Sequence, residues 1–528
     1  MNLSKPLMVV AALVLCTAAV LRAESPADLA PADANVYLQL NDLAKLRADW
    51  ESDPLADYLK QYMPPHHQPQ AWQDIQTMLD MNGEQIIDTF FGKTLSLFAV
   101  GTGEKPPGLV LSRVDLADSK AAVQKLSLEL MGKFGSFELY QPSDGKGRIA
   151  ISDKWVAMGD PKHDDFIRNT LTHAGKGDTL AANAQFKQWT TKLPNGWVAL
   201  GFARETDKDE VHTAGLYRNG RDVKLEYAGH STNFAKVYEK LSDAGAKQFG
   251  PLPATTIGAM TLNVHDKSPD PRAVEFFNRI LAPRSYEKEV LPKLDAPVVA
   301  FLGELKSDQV EPSPGLSVPV VGFALHLKDG SVSADLDRIL NSVLVFANLA
   351  TMQWAVDPIA MTDGEYNGST YRVADMGKPL SQKAKRPEIA GMVKLTFGRI
   401  GEWYVICSHE NFFRQCVDAA AGKSTLTAAA DFDAIPLKNH NTPVMSGFVR
   451  APLLANHFQT WLDYGKSHYP QVFTDAEQVK PARPAAKAVR GLTVLTGALK
   501  HYRSMSLQTY RGEGDTLRGR ADIIRQVK

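Results

Sequence analysis

The sequence predicts an α+β fold made of two related halves in tandem, each a largely antiparallel sheet with packed helices. Two observations carry that expectation. Hairpin-like pairs of strand segments are separated by single helices, in place of the regular β-α alternation of a doubly wound fold. The chain also repeats itself. Phe166, Arg168, Thr179, Leu180, Ala182, Ala184 and Phe186 recur at a constant offset of 246 as Phe412, Arg414, Thr425, Leu426, Ala428, Ala430 and Phe432.

The match extends on both sides of this block. Gly147-Arg148-Ile149 answers Gly398-Arg399-Ile400, Trp155-Val156 answers Tyr404-Val405, and Gly201-Phe202-Ala203-Arg204 answers Gly447-Phe448-Val449-Arg450. Pro31, Ala32, Leu40 and Asn41 return as Pro253, Ala254, Leu262 and Asn263, at an offset of 222. The expected halves are 27–249 and 250–528. The second is longer by helical and linker material around 455–505, including Lys480-Pro481-Ala482-Arg483-Pro484.

Within the first half, Val36, Leu38 and Leu40 alternate as a half-buried strand, and two helical stretches follow from Leu43 to Asp80. Residues 94–100 and 108–114 read as a hairpin across Gly101-Thr102-Gly103-Glu104. Val123, Leu126, Leu130 and Phe134 have the spacing of one helix face, with Lys125, Glu129 and Lys133 on its wet side. Strands near 136–140, 147–152 and 155–159 lead to a helix containing Phe166 and Leu171, then to strands near 197–204, 212–218 and 222–228.

Residues 1–23 form the clearest local signal. Lys5 precedes an uncharged stretch from Pro6 to Leu21, and Leu21-Arg22-Ala23 supplies a small-residue cleavage site before Glu24. That stretch is short for a bilayer core, which takes roughly 20 helical residues. A cleaved signal peptide is therefore expected, giving an exported, periplasmic or secreted protein with no permanent transmembrane anchor after cleavage. A lipoprotein reading at Leu13-Val14-Leu15-Cys16 puts Leu15 where a small residue is required. Without this segment two cysteines remain, Cys407 and Cys416, either paired or acting as small core hydrophobes. Leu340 to Val356 is also uncharged and is expected to be a buried helix, between the halves or lining an apolar groove.

Composition excludes more than it assigns. Fifty-nine Lys+Arg balance 59 Asp+Glu, so the chain has no excess positive charge with which to bind nucleic acid. Three cysteines make neither a disulfide scaffold nor a four-cysteine zinc site.

Several motifs look chemical. Gly422-Lys423-Ser424-Thr425 ends like a phosphate-binding loop, but Val417 stands where the loop needs its first glycine, and the equivalent Lys176-Gly177-Asp178-Thr179 reads as a helix stop. Asp160, His163 and Asp164 could form a metal or acid/base group, whereas Asp160-Pro161 is also an N-cap with proline at the first helical position. Ser408-His409-Glu410-Asn411 occupies the same turn in the second half. Cys407 near His409 has the composition of a thiol and its base, yet its expected counterpart is the apolar Met158. His66-His67 falls in a proline-rich loop, Asn367-Gly368-Ser369 is a glycosylation sequon in a turn, and Lys378, Lys383, Lys385 and Arg386 form a basic loop.

The opening Leu29-Ala30-Pro31-Ala32-Asp33, the strand Val36 to Leu40, Asn41-Asp42-Leu43, Trp50, Asp53-Pro54-Leu55, Trp155 to Asp160, Phe166 and Thr179-Leu180 to Phe186 together resemble a family of exported bacterial proteins known only as a domain of unknown function. The resemblance spans nearly all of the mature chain. It implies export and a duplicated α+β architecture, and carries over no catalytic residue.

The expected function is that of an exported, non-catalytic envelope protein acting as a binding or structural module, with an unknown envelope protein, lipid or peptide as partner and no nucleic acid. No catalytic or metal-ligating residue and no cofactor is assigned. One alternative is a periplasmic hydrolase or metal-dependent enzyme using the Asp160/His163/Asp164 turn or a cleft between the halves. Another is a carrier of an apolar ligand, lipid or peptide.

Overall fold

The computed structural model describes residues 25–526 apart from 63–75, 77–80, 102, 104–105, 115–127, 143–144, 146, 206–207, 232–248, 264–270, 438–442, 478–482 and 513–515. The expected signal segment 1–23, His66-His67, the stretch with Val123 and Leu126, and Lys480 to Ala482 of the expected linker lie outside the described residues. The chain divides into two compact units, residues 1–235 with 512–521 and residues 236–511 with 522–528. Both are mixed α+β, with extensive antiparallel sheet.

The first unit contains β1 (Val36–Asn41), β2 (Thr94–Ala99), β3 (Gly108–Arg113), β4 (Glu129–Phe134), β5 (Phe137–Gln141), β6 (Arg148–Ile151), β7 (Trp155–Gly159), β8 (Ala199–Glu205), β9 (Glu210–Asn219) and β10 (Asp222–His230). They pair in the order β4-β5-β6-β7-β3-β2-β1-β8-β9-β10, antiparallel throughout. One face packs Tyr37, Phe98, Leu111 and Phe202 against Ile167, Leu171, Phe186 and Trp189, from the helices Asp164–His173 and Ala184–Thr190.

The second unit contains β11 (Thr256–Leu262), β12 (Leu294–Leu305), β13 (Val318–Leu327), β14 (Ala360–Tyr366), β15 (Ser369–Asp375), β16 (Lys394–Ile400), β17 (Trp403–Cys407), β18 (Pro443–Arg450) and β19 (Tyr502–Arg511), and β20 (Leu517–Arg525) follows. Their order is β14-β15-β16-β17-β13-β12-β11-β18-β19, again antiparallel. The packed face brings Val299, Phe301, Val320, Val405 and Phe448 against Phe412, Phe413 and Cys416 of the helix Glu410–Ala420.

Several local expectations are corrected. Leu130 and Phe134 lie on β4, not on a helix, as do Glu129 and Lys133. A spacing of four satisfies a helix face and a strand face equally, and Gly132, at φ 152°, makes the irregularity that β4 needs opposite β5. Lys378 and Lys383 lie on a helix, Gly377–Ala384, whose end is turned by Lys385 in the left-handed region. The uncharged stretch from Leu340 forms the second half of the helix Ser333–Gln353, which buries Leu344 and Thr351 and exposes its other face, where the sequence predicts a buried helix. The helix Gly83–Phe91, with its Asn82/Gln85 capping box, was not foreseen.

The units differ most in one connection. Residues 206–209 join β8 to β9, whereas β18 and β19 are separated by the helices Ala451–His468, Pro470–Ala476 and Pro484–Leu499. Among the described residues no helix is long and apolar enough to cross a membrane.

Candidate functional site

Asp160, Asp164, Cys407 and His409, singled out for chemistry, are engaged in holding the fold. The Asp160 carboxylate accepts from the Lys162 N–H at 2.9 Å, and Pro161 follows as the first helical residue. Asp164 takes two bonds from Arg148, at 2.6 and 3.1 Å. His163 makes no side-chain cap bond to the helix that follows. Among the described residues no three His, Cys, Asp or Glu side chains gather as a metal site would require. Gly422 to Thr425 link the C-terminus of the helix Glu410–Ala420 to a single 3-10 turn, Leu426–Ala428, whose Ala428 N–H is capped by the Thr425 hydroxyl, where a phosphate loop would open directly into an α-helix. Asn367 and Gly368, both at positive φ, form the tight turn between β14 and β15.

Cys407 and His409 do not form a nucleophile and base. Both cysteines are free and buried. The Cys407 thiol donates to the His409 backbone carbonyl, not to the ring, and burial pushes it up to about 12. The turn is capped by His409, whose Nδ1 accepts from the Asn411 N–H at 3.1 Å, while Ser408 Oγ accepts instead from Val321 N–H. His409 Nε2 lies 3.1 Å from the Gly391 carbonyl, so the neutral ring donates there.

Burial, aided by the charge of Lys394, lowers the His409 imidazole from 6.5 to about 4. Because the folded value lies below the unfolded one, the unfolded chain takes up the proton first. The stabilisation is complete above about pH 6.5 and is lost, to the extent of roughly 3 kcal/mol, as pH falls towards about 4. Urea unfolding at several pH values across this window should give a falling midpoint, and the His409→Gln variant should lose much of that slope.

A Ser/His/Glu grouping that sequence reading missed lies at one end of the second unit's sheet. His457 Nδ1 is 3.1 Å from Glu304 Oε1 and 3.0 Å from Ser317 Oγ, Ser317 Oγ is 2.6 Å from Thr460 Oγ1, and Trp461 Nε1 donates to the Ser317 carbonyl at 3.0 Å. Burial acts to raise the Glu304 carboxyl, but hydrogen bonds from His457 and Ser317 outweigh it and hold it below its usual value. A hydrolytic triad needs the acid on one ring nitrogen and the nucleophile on the other. Here both meet Nδ1, so the cluster anchors the helix Ala451–His468 to β12 and to the residue preceding β13.

Between that helix and the helix Ser333–Gln353 the sheet carries an open apolar face. Ladder register sets out three rows across β13-β12-β11-β18-β19: Val321-Leu302-Gly258-Val449-Met505, Phe323-Ala300-Met260-Gly447-Leu507, and Leu325-Val298-Leu262-Met445-Thr509. None of these positions is charged and Thr509 alone carries a polar side chain, whereas a water-facing antiparallel sheet ordinarily alternates to polar residues there. Val321 and Phe323 are 59% and 54% exposed, and Met260, Leu262 and Leu507 are 41–44% exposed. The face measures about 19 Å across five strands and about 14 Å along them.

The borders of this face are built from the same register. Phe323 continues into Ile406 and Phe397, which, with Leu325, Leu327 and Tyr404, pack under Leu336, Ile339 and Leu344 of the helix Ser333–Gln353. Tyr404 Oη ties that helix down through Asp337 at 2.5 Å. At the other border Met505 packs with Ala451, Ala455, Phe458 and Leu499. The sequence carried a signal for this face in the unbroken apolar runs Pro297 to Gly303 and Val318 to Leu325, which describe strands apolar on both sides.

Comparison of the chain with protein-family models, with characterised proteins and with solved structures returns no match in any of the three.

Proposed function

We propose that the chain is an exported, non-catalytic binding protein of the cell envelope, built by tandem duplication, and that the open face of its second unit takes an apolar ligand, a lipid chain or an apolar peptide. The observation that carries the binding role is the charge-free grid of three rows by five strands, left in contact with water where apolar area is expensive to expose.

Duplication is supported by strand order, which is the same in both units once ten is added to each strand number. Two single bridges repeat as well, Pro31 with Thr179 and Pro253 with Thr425. Arg204 donates to the Ala32 carbonyl and Arg450 to that of Ala254. Register aligns Met158 with Ile406 and Gly159 with Cys407, one residue from the sequence pairing of Met158 with Cys407. That step matters because one residue exchanges the two faces of a strand.

Two glycines on the face allow a clean test. A Cβ on Gly258 would meet the Phe448 carbonyl at 2.8 Å, so this glycine is required by the backbone. A Cβ on Gly447 would find its nearest neighbour at 3.5 Å, an ordinary contact. Gly447→Leu therefore fills the middle of the face without disturbing the fold, and Met260→Asp charges it. Both variants should keep the wild-type unfolding midpoint and lower affinity for the uncharged apolar dye Nile red by on the order of tenfold. Equal dye binding by wild type and both variants would refute the assignment.

A further inference from the structure

The second half of the helix Ser333–Gln353 presents an apolar face that the ligand site does not use. Val345, Phe346, Leu349 and Met352 fall at i, i+1, i+4 and i+7 and are 53–75% exposed. No charge occurs from Leu340 to Val356. The helix stops at the exposed Trp354, and Ala355, at φ 54°, turns the chain.

Beside that tryptophan the character changes to basic. Lys383 Nζ lies 5.7 Å from the centre of the Trp354 ring, and Lys383, Lys385 and Arg386 are all exposed. The Arg386 guanidinium lies over the Tyr469 ring at 5.1 Å. Asp357, which follows this tryptophan in the chain, is engaged, holding Lys378 at 2.9 Å and Gln382 at 2.8 Å.

We propose that this edge of the second unit docks on the surface of an anionic lipid bilayer. Val345, Phe346, Leu349 and Met352 enter the acyl boundary, Trp354 sits at headgroup level, and Lys383, Lys385 and Arg386 meet lipid phosphates. Area and charge both select a bilayer over a second copy of the chain. From Val345 to Trp354 the helix rises about 14 Å, and at a helix width of roughly 10 Å the face covers about 140 Å². A stable protein interface takes about 800 Å² per partner. Two-fold pairing through this patch would also bring two basic clusters together, whereas an anionic surface complements them.

The test is co-sedimentation of the full chain with vesicles of phosphatidylcholine alone or mixed with phosphatidylglycerol. Wild type should bind the mixed vesicles and release them as salt rises. The double variant Lys383→Glu/Lys385→Glu should bind them at least tenfold more weakly, and Phe346→Ser/Leu349→Ser should bind neither kind. All the changed side chains are exposed, so unfolding midpoints should hold. Gly447→Leu should bind vesicles as wild type does, which separates docking from the sheet-face site. Equal binding by wild type and both double variants, binding indifferent to lipid charge, or loss of vesicle binding in Gly447→Leu would overturn the proposal.

Discussion

Replacing Arg450 by alanine is expected to destabilise the second unit by about 3–5 kcal/mol, read as a fall in the urea midpoint. The side chain is almost wholly buried and makes four bonds: Nε and Nη2 to the two Asp431 oxygens, both at 2.6 Å, and Nη1 to the Ala254 and Thr256 carbonyls at 2.6 and 2.9 Å. Asp431 is partly exposed and regains water in the variant, so its share of the loss is modest. The larger share comes from backbone acceptors left without a donor at a place water does not reach. Arg450→Lys, which cannot form the fork, should recover only part of the loss. Arg204 Nη2 donates to the Ala32 carbonyl and feels the charge of Asp33 without the two-pronged carboxylate bond that Arg450 makes, so Arg204→Ala should cost less.

The same pair gives a pH signature. Burial tends to raise the Asp431 carboxyl, and the hydrogen bonds and charge of Arg450 more than reverse this, so it titrates below its usual value. A depressed carboxylate stabilises the fold above its unfolded pKa, and that contribution disappears as pH falls through the folded value. Wild type should therefore lose stability in acid more steeply than Arg450→Ala, after the His409 contribution is matched in both.

Phe412→Ala is expected to remove about 3–5 kcal/mol from the same unit, by differential scanning calorimetry or urea. Phe412 is fully buried and stacks on Phe301 at a ring separation of 5.5 Å and an angle of 16°. The stack exists because two strand positions lack a side chain. A Cβ on Gly303 would collide with the Phe412 ring, and one on Gly322 with the Phe301 ring and the Ile406 carbonyl. Gly303→Ala should consequently destabilise by overpacking, by about 1–3 kcal/mol. Combined with Phe412→Leu it should cost less than the sum of the two single changes, because the smaller side chain vacates the space that the new methyl fills.

Class and much of the element order were legible in the sequence, because they rest on local signals. The Asp160-Pro161 start before the Phe166 helix is satisfied within a few residues of itself, and the alternation at Val36, Leu38 and Leu40 marks a strand, although pairing with β2 and β8 buries Tyr37 and Gln39 and leaves those three half-buried. Errors arose where one spacing fits two structures, as at Leu130 and Phe134, or where burial depends on distant partners, as along Leu340 to Val356. The candidate face was not legible as a face. Its rows draw on strands from β11 to β19, and only cross-strand register brings Met260, Ala300, Phe323, Gly447 and Leu507 into line. The uninterrupted apolar strands announced that both sides would be apolar, without saying which side would meet water.

Residues 512–521 count with the first unit, although they come almost last in the chain. Within that unit Lys192 Nζ donates to Thr516 Oγ1 at 2.9 Å, and Thr516 is itself buried. A ribosome adding about 5–20 residues per second delivers this segment roughly 25–100 s after β1. The first unit thus cannot finish folding while the second is being made. A chain halted before residue 512 lacks part of the first unit as well as residues 522–528 of the second.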